Sequence, residues 1–516
     1  MDTLLKSLAT PVEQLQSHYD VIVIGSGMGG MSSAIALQKN GKRVLLLEQH
    51  YVPGGLTHTF KRKNFQWDVG VHCLGSFGEN SANGRVLNYL TDSDSPQFKS
   101  MGDVYEKYIF EDGSIFEVPA DKAEYIQKLI LEFPNERKAI ETYFEWIDQA
   151  AKQGAFVFSK RALPKIFGKL MPSYLHSFWN QTTETVLNRL TPNRKLQRIL
   201  TGQWGYNASP PSESSFGIHA AIVNHYLKGG FYPIDSAESF ADKMIRNFKK
   251  HGGEFTLRCE VKKISCQNGK VSGVELVNGK KISASKVISS IGAKKSMDLL
   301  PDSEIPAGWR DRIHELKGSP AYFCLYIGYE VENPDSVGIS KANHWFFEDS
   351  LETTWSDPSR TPPVMYVSFP SLKDPNHTGS SHTAELITFT DYSLFKKWKE
   401  TRRGKRTADY MEFKKVYELE LLSIFKKRFP SLADKIRVAE LATPLSMEFF
   451  TKSHQGGIYG LASTVHRYLT SDLHAKTPVK NLYFTGQDIL TPGVVGAMTS
   501  GILTAAAIDP KLFKLL

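Results

Sequence analysis

The chain has 516 residues, of which 41% are hydrophobic and 11% aromatic, a composition that excludes an intrinsically disordered protein. Its formal net charge of +9 suits an anionic ligand or an anionic membrane surface. Nucleic acid is not an expected partner, because the sequence contains no motif that reads bases. The 4 cysteines are scattered and form no CxxC pair, which excludes a disulfide framework and a zinc site of that kind. They favour reduced thiols in a cytosol-like compartment.

Residues 1–16 lack the apolar core of a signal peptide. No later stretch approaches the roughly 18 uninterrupted apolar residues of a membrane-spanning helix. The sequence therefore predicts a cytoplasmic protein that contacts a membrane only peripherally.

The first predicted elements form a βαβ unit. Residues 19–24 (YDVIVI) have the composition of a buried parallel strand, residues 31–39 have the spacing of a helix packed on a sheet, and residues 43–47 (RVLLL) form the second strand. Strand, glycine-rich turn, helix and strand within about thirty residues match the length of one such unit.

The turn carries the pattern G-x-G-x-x-G at Gly25, Gly27 and Gly30, and Glu48 ends the second strand. The first glycine allows a tight turn, the second lets the backbone approach a pyrophosphate, and the third allows close packing of helix and strand. The helix N-terminus supplies free N–H groups to the phosphates, and a carboxylate at the end of the next strand binds a ribose diol. The context predicts a dinucleotide site.

The middle of the chain is predicted to contain a helical stretch and a basic, aromatic one. Residues 121–149 have apolar side chains at helical spacing. Within residues 159–179, Lys160, Arg161, Lys165 and Lys169 alternate with apolar side chains, and Trp179 ends the segment. This pattern favours docking on an anionic bilayer, with a charged face on an ordinary soluble helix as the alternative.

Strands return in the second half of the chain. Residues 260–264 and 270–276 flank the turn Asn268-Gly269, and further strands are predicted at 286–291, 322–329, 365–369, 384–390 and 481–485. Helices are predicted at 408–429 and 493–507. Because no linker separates these elements, we expect interleaved domains in which N-terminal, middle and C-terminal segments share one sheet.

Two further glycine blocks favour FAD over NAD as the dinucleotide. Pro53-Gly54-Gly55 follows the Glu48 strand, where small residues let the backbone lie against the pyrophosphate and ribityl chain. Near the C-terminus, Gly486 and Asp488 follow a strand and precede a helix that begins with glycines. An aspartate there can bind a ribityl hydroxyl; a purely structural helix is the alternative.

These blocks resemble the phytoene desaturase, carotenoid isomerase and retinol saturase family of FAD enzymes, within the wider amine oxidase-like fold. The block 65–75 (FQWDVGVHCLG) and residues 212–232 look like the retinol saturase form, although Cys73 replaces an aromatic residue of the animal enzymes. The similarity is weakest at about residues 330–410. The resemblance implies a flavin that exchanges hydride with one double bond of a long unsaturated lipid.

The expected fold class is α/β: a Rossmann-type FAD-binding domain of the amine oxidase-like kind with an interleaved, mixed α+β substrate domain. We assign residues 17–95, 206–310 and 446–510 to the FAD-binding domain. Residues 96–205 are predicted as a helical, membrane-facing substrate segment and residues 311–445 as the substrate sheet and helix.

The blocks and the resemblance together give the candidate site. The cofactor residues that we predict are Gly25, Ser26, Gly27, Met28, Gly29, Gly30, Glu48, Gln49, Gly54, Gly55, Leu56, Thr57, Val261, Gly486, Asp488, Gly496 and Ala497. The catalytic candidates are His72, as a proton donor or a packed polar residue, and Tyr459, as a tunnel wall or a core tyrosine. Asp68 is expected to cap a turn, and His219 and His225 to be structural, with no metal site.

The leading functional hypothesis is a FAD-dependent, retinol saturase-like enzyme that acts on a carbon–carbon double bond of a lipophilic polyene. A carotenoid cis–trans isomerase or desaturase with the same flavin is the first alternative, and a flavin-bearing lipid-binding protein is the second. No second Rossmann fingerprint is present for NADPH, so a separate electron donor is expected.

Overall fold

The computed structural model describes residues 2–77, 81–162, 177–350 and 352–515. Its strands are β1 (His18–Ile24), β2 (Val44–Leu47), β3 (Thr59–Arg62), β4 (Phe65–Asp68), β5 (Phe98–Ser100), β6 (Val104–Phe110), β7 (Ile115–Pro119), β8 (Phe231–Pro233), β9 (Glu254–Thr256), β10 (Val261–Gln267), β11 (Lys270–Leu276), β12 (Lys281–Ser289), β13 (Ala321–Glu330), β14 (Asn343–Phe347), β15 (Val364–Ser368), β16 (Ser381–Thr390), β17 (Ile436–Ala442) and β18 (Leu482–Phe484).

The α-helices, numbered in chain order, are α1 (Asp2–Leu8), α2 (Met28–Lys39), α3 (Ala82–Thr91), α4 (Lys122–Glu132), α5 (Arg137–Ala162), α6 (Thr183–Leu190), α7 (Arg194–Leu200), α8 (Phe216–Tyr226), α9 (Glu238–Lys250), α10 (Ala293–Asp298), α11 (Trp309–Glu315), α12 (Pro370–Lys373), α13 (Ala408–Arg428), α14 (Pro444–Thr451), α15 (Val465–Leu469) and α16 (Gly493–Ile508). Among the helices that the structure describes, none is both long and apolar enough to cross a bilayer.

The first sheet has the order β10-β11-β12-β1-β2-β9, with β18 paired to β12. Strands β18, β12, β1, β2 and β9 are mutually parallel, while β10, β11 and β12 form an antiparallel meander. The strand–turn–helix–strand order predicted for residues 19–47 is confirmed by β1, α2 and β2. Strands from three distant stretches of the chain thus form one Rossmann-type sheet, and the α/β fold class is confirmed.

The second sheet is seven-stranded, in the order β17-β13-β16-β15-β14-β6-β7. Its pairs are antiparallel except for β14 and β6, which run parallel. The predicted strands at 322–329, 365–369 and 384–390 correspond to β13, β15 and β16. Strands β6 and β7 join this sheet from a stretch that we predicted to be helical, so residues 96–205 are helical only from α4 onward.

The predicted helical stretch 121–149 is two helices, because α4 ends at Glu132 and α5 begins at Arg137. Pro134 lies between them. Proline removes a backbone donor and clashes with the preceding turn, so a single continuous helix is disfavoured there.

Two residues of the predicted membrane segment are buried rather than exposed to a bilayer. Arg161 is 4% exposed, and its guanidinium donates to the carbonyl oxygens of Arg467 (2.6 Å), Tyr468 (3.1 Å) and Leu473. Trp179 is fully buried, and its indole Nε1 donates to the carbonyl oxygen of Ala150 at 3.0 Å. The prediction that these two side chains face a membrane is wrong. Lys165 and Lys169 lie outside the described residues.

Candidate active site

The glycine-rich turn joins β1 to α2 and leaves open space at the helix N-terminus. Gly25 has a φ of +92°, which only glycine adopts without strain, and a Cβ on Gly30 would lie 1.9 Å from the Gly25 carbonyl oxygen. A Cβ on Gly27 would instead meet no atom within 4 Å. Two glycines are therefore required by the fold, whereas Gly27, where α2 begins, borders space that a diphosphate would fill.

Glu48 closes on this turn from the end of β2. One carboxylate oxygen accepts from the Ser26 backbone N–H at 2.8 Å and from the Ser26 hydroxyl at 2.6 Å, and the other accepts from the His50 N–H at 2.7 Å. Met28 and Gly29 follow Ser26 and Gly27 in the chain and form the first turn of α2. The carboxylate is thereby fixed beside the phosphate-binding turn, as a ribose-binding group requires.

The Gly54-Gly55 turn is attached to the same place. The Gly54 N–H donates to the Ser26 carbonyl oxygen at 3.1 Å, and a Cβ on Gly55 would lie 3.0 Å from the Gly27 Cα. The Thr57 hydroxyl donates to the Gly54 carbonyl oxygen at 2.8 Å and holds the turn. Of the neighbouring candidates, Gln49 directly follows Glu48 and Leu56 lines the cavity described below.

Val261 begins β10, the edge strand of the first sheet. Two residues earlier, the Cys259 N–H donates to the Glu48 carbonyl oxygen at 2.8 Å. The structure therefore places Val261 on the Glu48 side of the cofactor turn.

The C-terminal block packs directly on the first helix. A Cβ on Gly29 would lie 2.7 Å from the Gly486 Cα and 3.1 Å from the Ala497 carbonyl oxygen. A Cβ on Gly496 would lie 2.1 Å from the Thr491 hydroxyl oxygen. Glycine at position 29 lets α16 and the Gly486 turn come into backbone contact with α2, and glycine at position 496 lets α16 pack on the loop that precedes it.

Asp488 links three loops around the cofactor turn. Its carboxylate is 4% exposed and accepts from the Ala293 N–H at 2.8 Å and from the Leu461 N–H at 2.9 Å. The loop before Ala293 packs on Gly25, since a Cβ there would lie 3.0 Å from the Ile291 side chain. Asp488 therefore has a structural role that the sequence pattern does not indicate, and its contact with a ribityl hydroxyl stays a prediction.

An apolar cavity lies between the cofactor turns and the second sheet. Its floor near the Gly54-Gly55 turn is formed by Leu56, Val69 and Gly70. Its walls are mainly aromatic and aliphatic: Tyr206, Tyr322, Trp345, Tyr366, Ile387, Phe389 and Ile458. Such a lining suits a long apolar ligand.

Both catalytic candidates line this cavity. Tyr459 is half-buried, its backbone N–H donates to the Ser319 hydroxyl at 2.9 Å, and burial raises the pKa of its phenol to about 12. The His72 imidazole also forms part of the wall, and its Nδ1 lies 2.6 Å from an oxygen of Glu385. They add to the polar groups of a wall that also contains the phenols of Tyr206, Tyr322 and Tyr366.

Behind the cavity, a row of four buried polar side chains crosses the second sheet; we call Glu385, Ser368, Asn343 and Glu106 the polar row. Ser368 lies opposite Glu385 and Asn343 opposite Glu106, and the pairing of His344 with Val367 places Asn343 beside Ser368. The cavity wall includes Ile387, Tyr366 and Trp345. Each lies two positions along its strand from a member of the polar row. Because side chains alternate between faces, both rows face the same side of the sheet.

Lys373 lies over the middle of the polar row. Its ammonium donates to the Asn343 side-chain oxygen at 2.5 Å, to the Ser368 hydroxyl at 2.6 Å and to the His72 carbonyl oxygen at 2.7 Å. Burial lowers the pKa of this ammonium to about 8. The contact with the His72 carbonyl ties the cavity wall to the row beneath it.

Two buried carboxyl groups of this region, Glu106 of the polar row and the nearby Asp68, have raised pKa values. Burial raises the pKa of Glu106 to about 7, against the lowering effect of hydrogen bonds from Tyr206, Asn343 and Trp345. Burial and the Glu385 charge raise the pKa of Asp68 to about 7 as well. Asp68 accepts from the Tyr232 hydroxyl and from the Ala237 N–H at 3.0 Å.

The remaining histidine candidates are structural. The His219 Nε2 lies 2.8 Å from the Tyr143 hydroxyl, and burial lowers the pKa of this imidazole to about 3. The His225 Nε2 accepts from the Gly75 N–H at 2.9 Å, and burial lowers the pKa of that imidazole to about 4. Neither histidine lines the cavity.

The residues that the sequence analysis missed are Lys373 and the polar row. One signal was available: Glu385 is a single acid inside the predicted strand 384–390, whose other residues are apolar or threonine. A lone acid in a buried strand marks a functional candidate. Lys373, in the short helix α12, has no comparable signal.

The turn geometry fits a dinucleotide flavin. The space at Gly27, the Glu48 carboxylate and the paired glycines at 54 and 55 form one continuous cradle, and the cavity begins at Leu56, directly after it. A Rossmann turn that opens onto an apolar cavity is the arrangement expected of a dinucleotide-dependent oxidoreductase.

The chain belongs to the family described as flavin containing amine oxidoreductase, whose model matches residues 28–509. It is 29% identical to an all-trans-retinol 13,14-reductase of Danio rerio, over 95% of this chain and 85% of that protein. It is 24% identical to a chloroplastic prolycopene isomerase of an Oncidium hybrid cultivar, over 98% of this chain and 86% of that protein. Both similarities confirm the family resemblance.

Among solved structures, cyclohexylamine oxidase from Brevibacterium oxydans superposes with a TM-score of 0.62 at 16% identity. The match covers 96% of this chain and 99% of that chain. It confirms the amine oxidase-like fold.

Proposed function

We propose that this protein is an FAD-dependent oxidoreductase that reduces one carbon–carbon double bond of a retinoid-like polyene. The cavity is the observation that carries the proposal, because its aromatic walls match the long apolar face of a conjugated lipid. The nearly full-length similarity to a retinol 13,14-reductase supports the same substrate class.

In this proposal, the N–H groups at the start of α2 hold the FAD diphosphate and Glu48 binds a ribose diol. Gly54 and Gly55 let the backbone lie against the chain that joins the diphosphate to the ring. When bound, the reduced flavin supplies a hydride to one alkene carbon. The neighbouring alkene carbon needs a proton. His72 and Tyr459 are polar side chains that line the cavity and are the candidates for its source.

The first prediction concerns the reaction itself. We expect the photoreduced protein to be reoxidised anaerobically by a retinoid, carotene or other unsaturated lipid and to release a product two hydrogens heavier. Flavin absorbance follows the first event and mass spectrometry the second, with heat-denatured protein and free FAD as controls. Flavin that no lipid reoxidises under these conditions would contradict the proposal and favour a lipid-binding protein.

A second candidate, favoured by the prolycopene isomerase similarity, is a cis–trans isomerase that uses the same flavin. It predicts a product of unchanged mass with an altered absorption spectrum and no net reoxidation. A desaturase would instead lower the mass by two hydrogens. One mass measurement therefore separates the three reactions.

We further propose a cytoplasmic location, a peripheral membrane contact and a separate electron donor. The expected substrate is too apolar to diffuse freely through water, which favours collection from a bilayer. The +9 charge favours an anionic surface. A donor protein is proposed because the sequence carries one dinucleotide fingerprint, which the flavin occupies.

The second prediction tests the membrane contact within residues 159–179. We expect Lys165→Glu/Lys169→Glu to weaken binding to anionic liposomes, since each lysine near such a surface contributes about 1 kcal/mol. Lys61→Glu/Lys63→Glu, at two exposed residues of the β3–β4 hairpin, makes the same charge change elsewhere as a control. Arg161 is kept, because its buried hydrogen bonds would be lost with it. Equal loss in both variants would show only a net-charge effect.

A further inference from the structure

Glu385 is a buried acid with a single close polar contact. The side chain is fully buried, and its Oε2 lies 2.6 Å from the His72 Nδ1. Neither of its oxygens accepts a hydrogen bond from a described group, and the His72 Nδ1 donates none, so the 2.6 Å approach is an ion-pair contact rather than an aligned hydrogen bond. By contrast, Glu106, at the other end of the polar row, accepts from three side chains.

Holding an isolated carboxylate in the interior is expensive. The penalty for removing such a charge from water is several kcal/mol, and an apolar residue of similar volume often gives a more stable protein. The neighbours of Glu385 along β16, Ala384 and Leu386, are themselves buried and apolar. Packing alone therefore does not account for an acid at this position.

His72 and Glu385 lie between the protein interior and the substrate cavity. Glu385 lies on the same face of β16 as Ile387 and Phe389, which line the cavity, but one step deeper. His72 separates it from the open space. Because Nδ1 faces Glu385, the other ring nitrogen, Nε2, is the one left for the cavity.

We propose that His72 is the proton donor of the reduction and that Glu385 is the positioning residue that holds its imidazole in the productive orientation. This assignment rests on the function proposed above. The hydride adds to one alkene carbon, and the π electron pair shifts to the neighbouring carbon. That carbon takes the proton from the His72 Nε2, and the neutral imidazole regains a proton from water at the cavity mouth.

Other charged or titratable groups surround His72 and Glu385. Lys373 binds the His72 carbonyl oxygen from α12, and Asp68 faces His72 from the end of β4. Cys73 adjoins it in the chain, and the Tyr366 ring of β15 lies 5.6 Å from the imidazole between ring centroids. Of these groups, Glu385 is the one whose carboxylate contacts the ring nitrogen.

The third prediction is that Glu385→Gln lowers kcat for formation of the saturated product by about 100-fold, the scale of general acid catalysis. KM should stay within about 3-fold, because Glu385 lies behind the cavity wall rather than in it. Glu385→Asp, which keeps the carboxylate, should recover part of the rate.

A spectroscopic measurement supplies a readout that does not depend on turnover. In flavin-free protein with ¹⁵N-labelled histidine, the His72 Nδ1–H proton should resonate downfield, move upfield in Glu385→Gln and disappear in His72→Gln. A Glu385 that does not bind the ring nitrogen would leave this resonance unchanged, and the kcat values then decide whether the contact serves the reaction. His72→Gln also tests the proton donor directly without changing the buried carboxylate, should Glu385→Gln fold poorly.

The outcomes separate the two proposals. If the wild-type protein saturates a polyene while Glu385→Gln and His72→Gln do so equally fast, the proton assignment is overturned and the function stands. If the wild-type protein saturates no polyene, the function and the proton-donor role fail together.

Discussion

Replacing Gly27 with valine should yield a folded protein without flavin. A Cβ at this position meets no protein atom within 4 Å, and the Gly27 φ of −65° is open to any residue. Valine at the start of α2 costs only about 1 kcal/mol of helix capping. Its side chain would occupy the space over the helix N-terminus where the diphosphate binds, so we expect flavin affinity to fall at least 100-fold.

The measurement is the flavin-to-protein absorbance ratio after reconstitution with excess FAD, together with thermal unfolding of the flavin-free protein. Gly30→Ala is the matched control, because its Cβ would lie 1.9 Å from the Gly25 carbonyl oxygen. That variant should lose stability as well as flavin. A Gly27→Val protein that retains stoichiometric flavin would show that the diphosphate lies elsewhere.

Replacing Asp488 with alanine should destabilise the protein even without flavin. The change leaves the Ala293 and Leu461 N–H groups buried without an acceptor, and each such group costs about 1–3 kcal/mol. The loops that meet at Asp488 would separate near Gly25, so we expect flavin binding to fall too.

Comparison of Asp488→Ala with Gly27→Val separates a role in holding the fold together from a role in binding flavin. Thermal unfolding of flavin-free Asp488→Ala should begin well below that of Gly27→Val, while both bind flavin poorly. Unfolding temperatures equal to that of the wild-type protein would instead mean that Asp488 serves the cofactor alone, as the sequence pattern first indicates.

The parts of the fold that depend on neighbouring residues were predictable. The β1–α2–β2 unit, the Asn268-Gly269 turn and the cofactor glycines follow from periodicity and turn chemistry over short stretches. Of the seven strands of the second sheet, only β13, β15 and β16 were predicted. Its register aligns Glu106 with Asn343 and Ser368 with Glu385, and no local pattern encodes pairing between such distant residues.

In the basic, aromatic segment 159–179, a local sequence pattern led to a wrong prediction. Alternating charges and apolar side chains near Arg161 indicated a surface, but the guanidinium is satisfied by backbone carbonyl oxygens inside the protein. Composition does not show whether a charge has such acceptors, because they belong to residues about 300 positions away along the chain. His72 was a candidate from its position, yet its partner Glu385 was identified only from the structure.

The repeated crossing of the chain between its two sheets has a practical consequence for fragments of this protein. The first sheet needs strands from β1 to β18, and the second needs β6 and β17. A cut anywhere between these elements leaves both pieces with unpaired edges, which are prone to aggregation. Expression of either half alone should therefore give insoluble material, and refolding of the intact chain should be slow because its strands pair across long loops.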